Sequence, residues 1–317
     1  MTPRPLDPGL WVILATPFDA GGAVDHGSLV REVEHALDAG ADGVVALGVF
    51  GEATSLSLAE QQQVAATVAR TLARTAAGRR MVLGVSGRST EVVVEQALAA
   101  MEAAAGAGAD REDLALMVQV NTAAEDALVA HLDEVYRRTG AGIVLQDYPA
   151  TSGVSIPTAA LVRVVGRCAY VVAVKAEAPP TPPAIAEVVA GTSVPVFAGL
   201  GGVGLVDELA AGAAGAMTGF SAPEGLRAAL DAHREGGFTA ARDAWAAWLP
   251  LANFEGQAGI ALSLRKALMH RRGVIDHPGV RPPARTMPDS LRPLLEQHLA
   301  TLPTMSATSP ATHPGGH

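Results

Sequence analysis

The stretch Ala39-Gly40-Ala41-Asp42-Gly43-Val44 joins the end of an amphipathic helical pattern to the start of a short apolar run. Two related stretches follow later in the chain, Thr139-Gly140-Ala141-Gly142-Ile143 and Ala211-Gly212-Ala213-Ala214-Gly215-Ala216. In each of them a glycine can adopt the left-handed conformation that ends a helix, and the chain then enters a buried strand directly. The repeated junction predicts helices that alternate with parallel strands.

Apolar runs of strand length alternate with amphipathic segments of helical length between residues 11 and 219. The predicted strands are 11–15, 43–47, 81–85, 114–118, 142–146, 171–174, 194–198 and 215–219. The predicted helices between them include 29–39, 58–73, 91–105, 127–138 and 157–165. Strand–helix units of about 30 residues, repeated eight times, favour an α/β fold that closes into a (β/α)8 TIM barrel. An open, doubly wound parallel sheet is the alternative.

The strand signals stop after residue 220, and further helical patterns follow. We therefore predict a barrel over residues 1–224 and a C-terminal helical extension over residues 225–302. Residues 303–317 are rich in Pro, Ser, Thr, Gly and His, a composition that cannot bury enough apolar surface to fold, so we predict a disordered tail.

Composition limits the partners and the cellular location that we expect. The net charge of −9 and the pI near 5.5 argue against nucleic acid or an anionic membrane as a partner. Cys168 is the single cysteine, which excludes a disulfide framework. The N-terminus does not resemble a secretory signal, and no segment has the apolar length of a membrane span. We therefore expect a cytoplasmic protein.

Only two lysines, Lys175 and Lys266, occur in the chain. Lys175 closes the apolar strand Tyr170-Val171-Val172-Ala173-Val174-Lys175. A primary amine can lose its proton, attack a carbonyl group and hold it as an iminium ion, whereas a guanidinium cannot. Because barrel active sites lie at the C-terminal ends of the strands, we predict that Lys175 is a nucleophile there. A surface lysine just past a strand end is the alternative, and Lys266 is interpreted as a surface charge at a helix end.

Two other strand ends carry candidate site residues. The second strand ends in Gly48-Val49-Phe50-Gly51-Glu52-Ala53, whose glycines would let backbone N–H groups approach a small anion such as the carboxylate of an oxo acid. An ordinary turn between strand and helix is the alternative. Gln146 and Tyr148 lie two residues apart at the end of the fifth strand and could point the same way. The Tyr148 hydroxyl could transfer protons, or its ring could line the barrel mouth.

The loop Gly199-Leu200-Gly201-Gly202-Val203-Gly204 matches the G-x-G-x-x-G pattern of dinucleotide sites. The acidic residue expected at the end of the next strand is missing, because Met217-Thr218-Gly219-Phe220 stands there. A nucleotide-dependent oxidoreductase therefore rests on this loop alone, and a loop that lines a substrate site is favoured. The histidines lack metal-ligand spacing, so we predict neither a metal nor a cofactor.

Several of these elements together resemble the dihydrodipicolinate synthase / N-acetylneuraminate lyase family. They are the strand-two G-x-x-G-E motif, the strand-five Asp147-Tyr148-Pro149, the lysine after strand six and the opening Ala15-Thr16-Pro17-Phe18. The similarity covers residues 10–302. It implies a (β/α)8 barrel with extra C-terminal helices, a homo-oligomer (a dimer, or the tetramer usual in the family), and a Schiff base between the strand-six lysine and pyruvate or a related 2-oxo acid.

The resemblance also implies roles for individual residues. Lys175 would form the Schiff base, with Tyr148 and Gln146 as further catalytic candidates. The substrate-binding candidates are Val49, Phe50, Gly51, Glu52, Gly199 and Met217. The partners would be a small 2-oxo acid and an aldehyde or similar second substrate, without any cofactor.

The chain departs from the family pattern where hydroxyl groups usually relay protons. Val49 replaces a Ser or Thr, Gln146 replaces a Tyr, and the synthase branch has another Tyr near Val120. Phe50 resembles the residue found in hydratase-aldolases that act on aromatic substrates. We therefore predict an aldolase or dehydratase in which Tyr148, Glu177 or a water held by Gln146 transfers protons. A barrel that binds a 2-oxo acid as a sensor or partner protein, without turnover, is the alternative.

Overall fold

A computed structural model describes residues 3–303. Parallel strands form a closed barrel in which each strand pairs with the next and β8 pairs with β1. The strands are β1 Gly9–Ile13, β2 Gly43–Ala46, β3 Arg80–Val85, β4 Leu114–Gln119, β5 Gly142–Asp147, β6 Val171–Ala176, β7 Val196–Ala198 and β8 Gly215–Thr218. The predicted TIM barrel is confirmed, and the pairing of β8 with β1 excludes an open sheet.

Helices surround the barrel and continue after it. They are α1 His26–Asp38, α2 Leu58–Thr75, α3 Thr90–Gly106, α4 Glu125–Thr139, α5 Pro149–Ser152, α6 Thr158–Arg167, α7 Thr181–Gly191, α8 Leu205–Ala210, α9 Pro223–Trp245, α10 Leu249–Glu255, α11 Ala261–Arg271 and α12 Arg292–Ala300. Among the described residues, no helix combines the length and the apolar character needed to cross a membrane.

The glycine signals that end helices are confirmed, and a capping box begins α2. Gly40, Gly140 and Gly212 have φ angles of 82°, 70° and 100°, in the left-handed region where a glycine has no steric penalty. At the start of α2 the Ser57 side chain accepts from the Glu60 N–H, and the Glu60 carboxylate accepts from the Ser57 N–H at 2.9 Å. This capping box fixes the start of the helix that follows the loop after β2.

The barrel interior is filled by side chains and is not a pore. Alternate residues of the strands point inward and form one apolar cluster, which contains Trp11, Ile13, Val45, Val82, Ala115, Met117, Val144, Phe197 and Met217. The opposite faces of the strands pack against the helices in a second, larger cluster. Because the interior is filled by apolar side chains up to the C-terminal ends of the strands, polar groups are concentrated at that rim.

The first half of α9 completes the ring of helices, because α9 packs against α8 and β1. Gly237, with a φ of 67°, interrupts the helical geometry inside α9. The proposed boundary at residue 224 falls inside α9, and the division into a barrel and an extension stays a proposal. Of the predicted tail, residues 304–317 lie outside the described part of the chain.

Candidate active site

A cavity of about 390 Å³ opens at the C-terminal ends of the strands. This volume is typical of a site that binds a small molecule. Its lining includes Val49, Phe50, Gln146, Tyr148, Lys175 and Glu177. The fold therefore brings together the three catalytic candidates, two residues of the loop after β2, and the glutamate that follows β6.

Lys175 lies inside the barrel mouth, and the alternative of a surface lysine is wrong. Its register partners are Gln146 on β5 and Phe197 on β7, so the three side chains share the inner face of the sheet. Lys175 is only 3% exposed, and its Nζ lies 2.8 Å from Oε2 of Glu177. A buried amine in contact with a carboxylate has a partner that can take its proton.

Three groups hold the Glu177 carboxylate. Besides the Lys175 amine, Oε2 accepts a hydrogen bond from Nε2 of Gln146 at 2.6 Å, and Oε1 accepts from the backbone N–H of Leu200 at 3.1 Å. A Cβ on Gly199 would lie 2.4 Å from the Glu177 side chain, so only glycine leaves space for this carboxylate. Gln146 therefore orients the Glu177 carboxylate through this hydrogen bond.

Two further buried carboxyl groups lie near Glu177. Burial raises the pKa of Asp147 to about 6, and the negative charge of Glu177 adds to the increase. Burial also raises the pKa of Glu208 to about 6, an effect that the hydrogen bond from the Thr181 hydroxyl partly offsets. Both carboxyls hold a proton part of the time near pH 6, which limits the negative charge around Glu177.

Of the residues predicted to bind substrate, some line the cavity and others pack behind its wall or inside the barrel. Val49 lies at the rim, and the Phe50 ring packs over Gly219, where a Cβ would lie 2.6 Å from the ring. The Gly51 carbonyl oxygen accepts a hydrogen bond from the Thr16 hydroxyl at 2.6 Å, behind the cavity wall. Met217 belongs to the apolar cluster inside the barrel.

Glu52 is bound to Lys266 of α11, and the interpretation of Lys266 as a surface charge is wrong. The Lys266 side chain is 0% exposed. Its Nζ donates to the Glu52 carboxylate and to the Gly279 carbonyl oxygen at 2.8 Å. Glu52 has a φ of 53°, a conformation that is uncommon outside glycine and is held here by the ion pair. Lys266 thereby fixes the loop that carries Val49 and Phe50.

The glycine-rich loop after β7 is explained by side-chain packing. Gly199 makes space for Glu177, a Cβ on Gly201 would lie 2.5 Å from Nη2 of Arg265, and a Cβ on Gly202 would lie 2.9 Å from Leu226. A Cβ on Gly204, the last glycine of the G-x-G-x-x-G match, would lie 3.2 Å from the Glu208 side chain, so close packing surrounds every glycine of the match. The match gives no support to a dinucleotide site.

Sequence reasoning missed Arg265 and Thr218, which also line the cavity. The Thr218 hydroxyl accepts a hydrogen bond from the Gly201 N–H at 2.8 Å, and Nε of Arg265 donates to Oε1 of Glu255 at 3.0 Å. No local signal pointed to Arg265, because α11 also carries Ser263, Lys266, His270 and Arg271, and its partner Glu255 lies on the preceding helix.

A second cavity, of about 300 Å³, lies between α11 and α12. It is lined by residues of the C-terminal helices and the loop between them, including His270 and His277, and by no residue of a strand end. The chemistry of the barrel mouth is therefore the better candidate for an active site.

The fold and the site define a class of protein, a (β/α)8 barrel with a buried lysine at the end of its sixth strand. A sequence profile of the Dihydrodipicolinate synthetase family matches residues 8–302, and the chain belongs to that family. It is accordingly an enzyme of a lyase and dehydratase family, and the prediction of an aldolase- or dehydratase-type lyase is confirmed at that level.

Curated relatives and a solved structure support this assignment. The chain is 31% identical over 297 residues to L-2-keto-3-deoxyarabonate dehydratase of Azospirillum brasilense, a match that covers 90% of this chain and 92% of the relative. It is 28% identical to 4-hydroxy-tetrahydrodipicolinate synthase of Synechococcus sp. strain CC9605, over 91% of this chain and 93% of the relative. The crystal structure of dihydrodipicolinate synthase from Rhodopseudomonas palustris superposes with a TM-score of 0.83 at 26% identity, over 95% of this chain and 100% of that chain.

The buried ion pair between Glu52 and Lys266 should contribute to the free energy of unfolding. Lys266→Met should lower the free energy of unfolding by about 3–5 kcal/mol, because it leaves the Glu52 carboxylate buried without its cation. The double variant Lys266→Met/Glu52→Gln should recover most of that loss, since it removes both charges. Denaturant-induced unfolding measures both effects, and a double variant that is no more stable than Lys266→Met would contradict the assignment.

Glu32 of α1 is a further buried carboxyl group. Its Oε1 accepts from the Ala15 N–H at 2.6 Å, and its Oε2 has no hydrogen-bond partner among the described residues. Burial raises its pKa from 4.5 to about 8, so the folded protein keeps a proton that the unfolded chain releases. The contribution of Glu32 to stability is therefore complete below pH 4.5 and is lost as the pH rises toward 8.

Glu32→Gln should remove this pH dependence while it keeps an acceptor for the Ala15 N–H. The stability of the variant relative to the wild type should rise between pH 5 and pH 8 by up to about 1.4 kcal/mol per pH unit. Denaturant titrations at several pH values test this, with Glu34→Gln on the exposed side of the same helix as control. A constant difference across that range would refute the buried, protonated Glu32.

Proposed function

We propose that this chain is a cofactor-independent class I lyase that dehydrates a 3-deoxy-2-oxo acid through a Schiff base on Lys175. The observation that carries the proposal is the contact of a buried primary amine with a carboxylate inside a cavity at the barrel mouth. An aldol cleavage of the same substrate class is the neighbouring reaction, because both reactions start from the same iminium ion on the lysine.

The first steps need the amine and its carboxylate partner. The Glu177 carboxylate takes a proton from the Lys175 ammonium, and the free amine attacks C2 of the oxo acid. Glu177 returns this proton to the hydroxyl group of the resulting carbinolamine, which leaves as water, so that the iminium ion forms and Glu177 is again a carboxylate. The backbone N–H groups of the loop at Val49 and Phe50 would hold the C1 carboxylate, as the family resemblance implies.

The elimination follows from the electron demand of the iminium ion. Glu177 removes a proton from C3, the C3–H electrons form the enamine, and the enamine expels the hydroxyl group from C4 as water. The proton for the leaving hydroxyl comes from an acid at the cavity, for which Tyr148 is the candidate. Hydrolysis of the Schiff base then releases the dehydrated 2-oxo acid and returns Lys175 to its free form.

Dehydration is favoured over aldol cleavage by the position of the base. Oε2 of Glu177 lies 2.8 Å from the Lys175 amine, which would become bonded to C2, and this short distance supports Glu177 as the base for the adjacent C3. Aldol cleavage would instead need a base at the C4 hydroxyl oxygen, which is two atoms beyond C3. The similarity to L-2-keto-3-deoxyarabonate dehydratase supports the same choice. The synthase reaction is disfavoured because Val49 and Gln146 lack the relay hydroxyls of that branch.

We also propose that the enzyme acts in the cytoplasm as a homo-oligomer, a dimer or a tetramer. The family resemblance supports the assembly. The single cysteine, Cys168, which is free and buried, is compatible with a reducing compartment.

The Schiff base predicts an adduct at one position. Reduction with borohydride in the presence of pyruvate should trap the acid on Lys175, which peptide mass spectrometry locates. Lys175→Arg keeps the positive charge but cannot form an imine, so it should show no adduct and no turnover. Lys266→Arg is the matched control, because Lys266 is the other lysine of the chain, and it should still be labelled at Lys175. A wild-type protein that gives no adduct with a panel of 2-oxo acids would overturn the proposal.

If Glu177 is the base at C3, its replacement should slow turnover much more than it slows formation of the adduct on Lys175. Glu177→Gln should lower kcat by about 10²–10⁴-fold, because the amide cannot take the C3 proton, while slow trapping on Lys175 persists. Steady-state kinetics and trapping measure the two quantities. Asp147→Asn, which changes a neighbouring carboxyl outside the cavity, should retain most of the activity. A wild type that forms the adduct without turning over any 3-deoxy-2-oxo acid would instead favour a sensor or binding protein.

A further inference from the structure

Arg265 of α11 brings a guanidinium group into the cavity from the C-terminal helices. Its side chain is 12% exposed, and its Cζ lies 5.3 Å from the centre of the Phe50 ring. The space for the group depends on Gly201, since a Cβ there would lie 2.5 Å from Nη2. The guanidinium of Arg265 therefore occupies the space that a side chain at position 201 would fill.

Glu255 fixes the orientation of this guanidinium. Oε1 of Glu255 accepts from Nε of Arg265 at 3.0 Å, and the carboxylate is completely buried. The same carboxylate accepts from the Ser221 backbone N–H at 3.2 Å and from the Ser221 hydroxyl at 2.6 Å. Glu255 therefore has several donors besides Arg265, and its contact with Arg265 involves the Nε edge.

The two terminal nitrogens of Arg265 are left available. Nη1 and Nη2 donate to no residue between 3 and 303, although the side chain is largely enclosed by the cavity wall. A guanidinium presents its terminal N–H groups in a planar fork that matches the two oxygens of a carboxylate. The other charged groups at the cavity, Lys175 and Glu177, already form a pair. The arrangement therefore has one oriented, unsatisfied set of donors for an anionic group of a ligand.

We propose that Arg265 is a specificity-determining residue that binds a second carboxylate at the far end of the substrate, so that the substrate is a 3-deoxy-2-oxo dicarboxylate. This inference rests on the proposed function for the end that reacts at Lys175. The C1 carboxylate belongs to the loop after β2, and the distal carboxylate meets Arg265 beside Gly201 and Thr218, which line the same cavity. The Phe50 ring, which belongs to the loop after β2, lines the same cavity and has its centre 5.3 Å from the Arg265 Cζ.

Two matched substrates test this without any variant. They are 4-hydroxy-3-deoxy-2-oxo acids of six carbons that end in a carboxylate or in a primary alcohol. The wild type should prefer the dicarboxylate by about 100-fold in kcat/KM, since the alcohol leaves the guanidinium fork without an anion. Equal values, or a preference for the alcohol, would overturn the assignment of Arg265.

The variant Arg265→Gln gives a second test, and its amide can still donate to Glu255. It should lower kcat/KM for the dicarboxylate by about 100-fold, mostly through KM, and change the value for the alcohol by less than about threefold. Arg265→Lys keeps the charge but not the fork and should fall between the two. Arg271→Gln is the matched control, because Arg271 lies on the same helix and is paired with Glu296 at the surface. Equal losses for both substrates in Arg265→Gln would contradict the proposal.

Two readouts separate this proposal from the proposed function. Pyruvate has no distal carboxylate, so borohydride trapping of pyruvate on Lys175 should be unchanged in Arg265→Gln. A non-reactive 2-hydroxy dicarboxylate should bind at least about tenfold more weakly to Arg265→Gln than to the wild type in calorimetry, whether or not Lys175 forms an adduct. Unchanged calorimetric binding would overturn the Arg265 site while leaving the Schiff base intact, and absent trapping would overturn only the reaction.

Discussion

The ion pair between Lys175 and Glu177 is the interaction on which the site depends. Both side chains are almost completely buried, and taking two charges out of water is costly unless they meet each other and further hydrogen-bond donors. Gln146 and the Leu200 N–H supply those donors, and Gly199 supplies the space. Three neighbouring strands of the barrel thus contribute to one pair. The amine and the carboxylate are thus held together by the fold itself, and the proposed Schiff-base chemistry would use this preorganised pair.

The C-terminal helices are part of the site as well as of the fold. Adjacent residues of α11 have different partners: Lys266 binds Glu52 of the loop after β2, and Arg265 binds Glu255 of α10. Phe18 lies between the Lys266 amine, at 4.3 Å from the ring centre, and the guanidinium of Arg281, at 4.2 Å. Cationic side chains from the extension therefore hold the barrel loops through ion pairs and cation–π contacts. A change in the packing of α11 would move both walls of the cavity.

Local signals in the sequence predicted most of the backbone. The predicted strands agree with the observed ones to within two residues at each end, because apolar runs bounded by glycine junctions leave little choice of register. Lys175, Gln146 and Tyr148 share the cavity as predicted, since the rim of a parallel barrel collects the ends of all its strands. Glu177 was recognised only as a neighbour along the chain, and its contacts with Lys175 and Gln146 depend on the pairing of β5 with β6.

The sequence by itself determined the barrel, the strand that carries Lys175, and the loop after β2, because each rests on periodicity or on residues close together in the chain. Only the tertiary structure decided where the side chains of Lys266 and Arg265 lie and which carboxylates they pair with. Lys266 has the sequence pattern of a surface residue, yet its carboxylate partner is Glu52, 214 positions away. No helical period or motif encodes a contact over that separation. It exists because barrel closure and the packing of α11 bring the two elements together, and burial then makes the pairing of their charges obligatory.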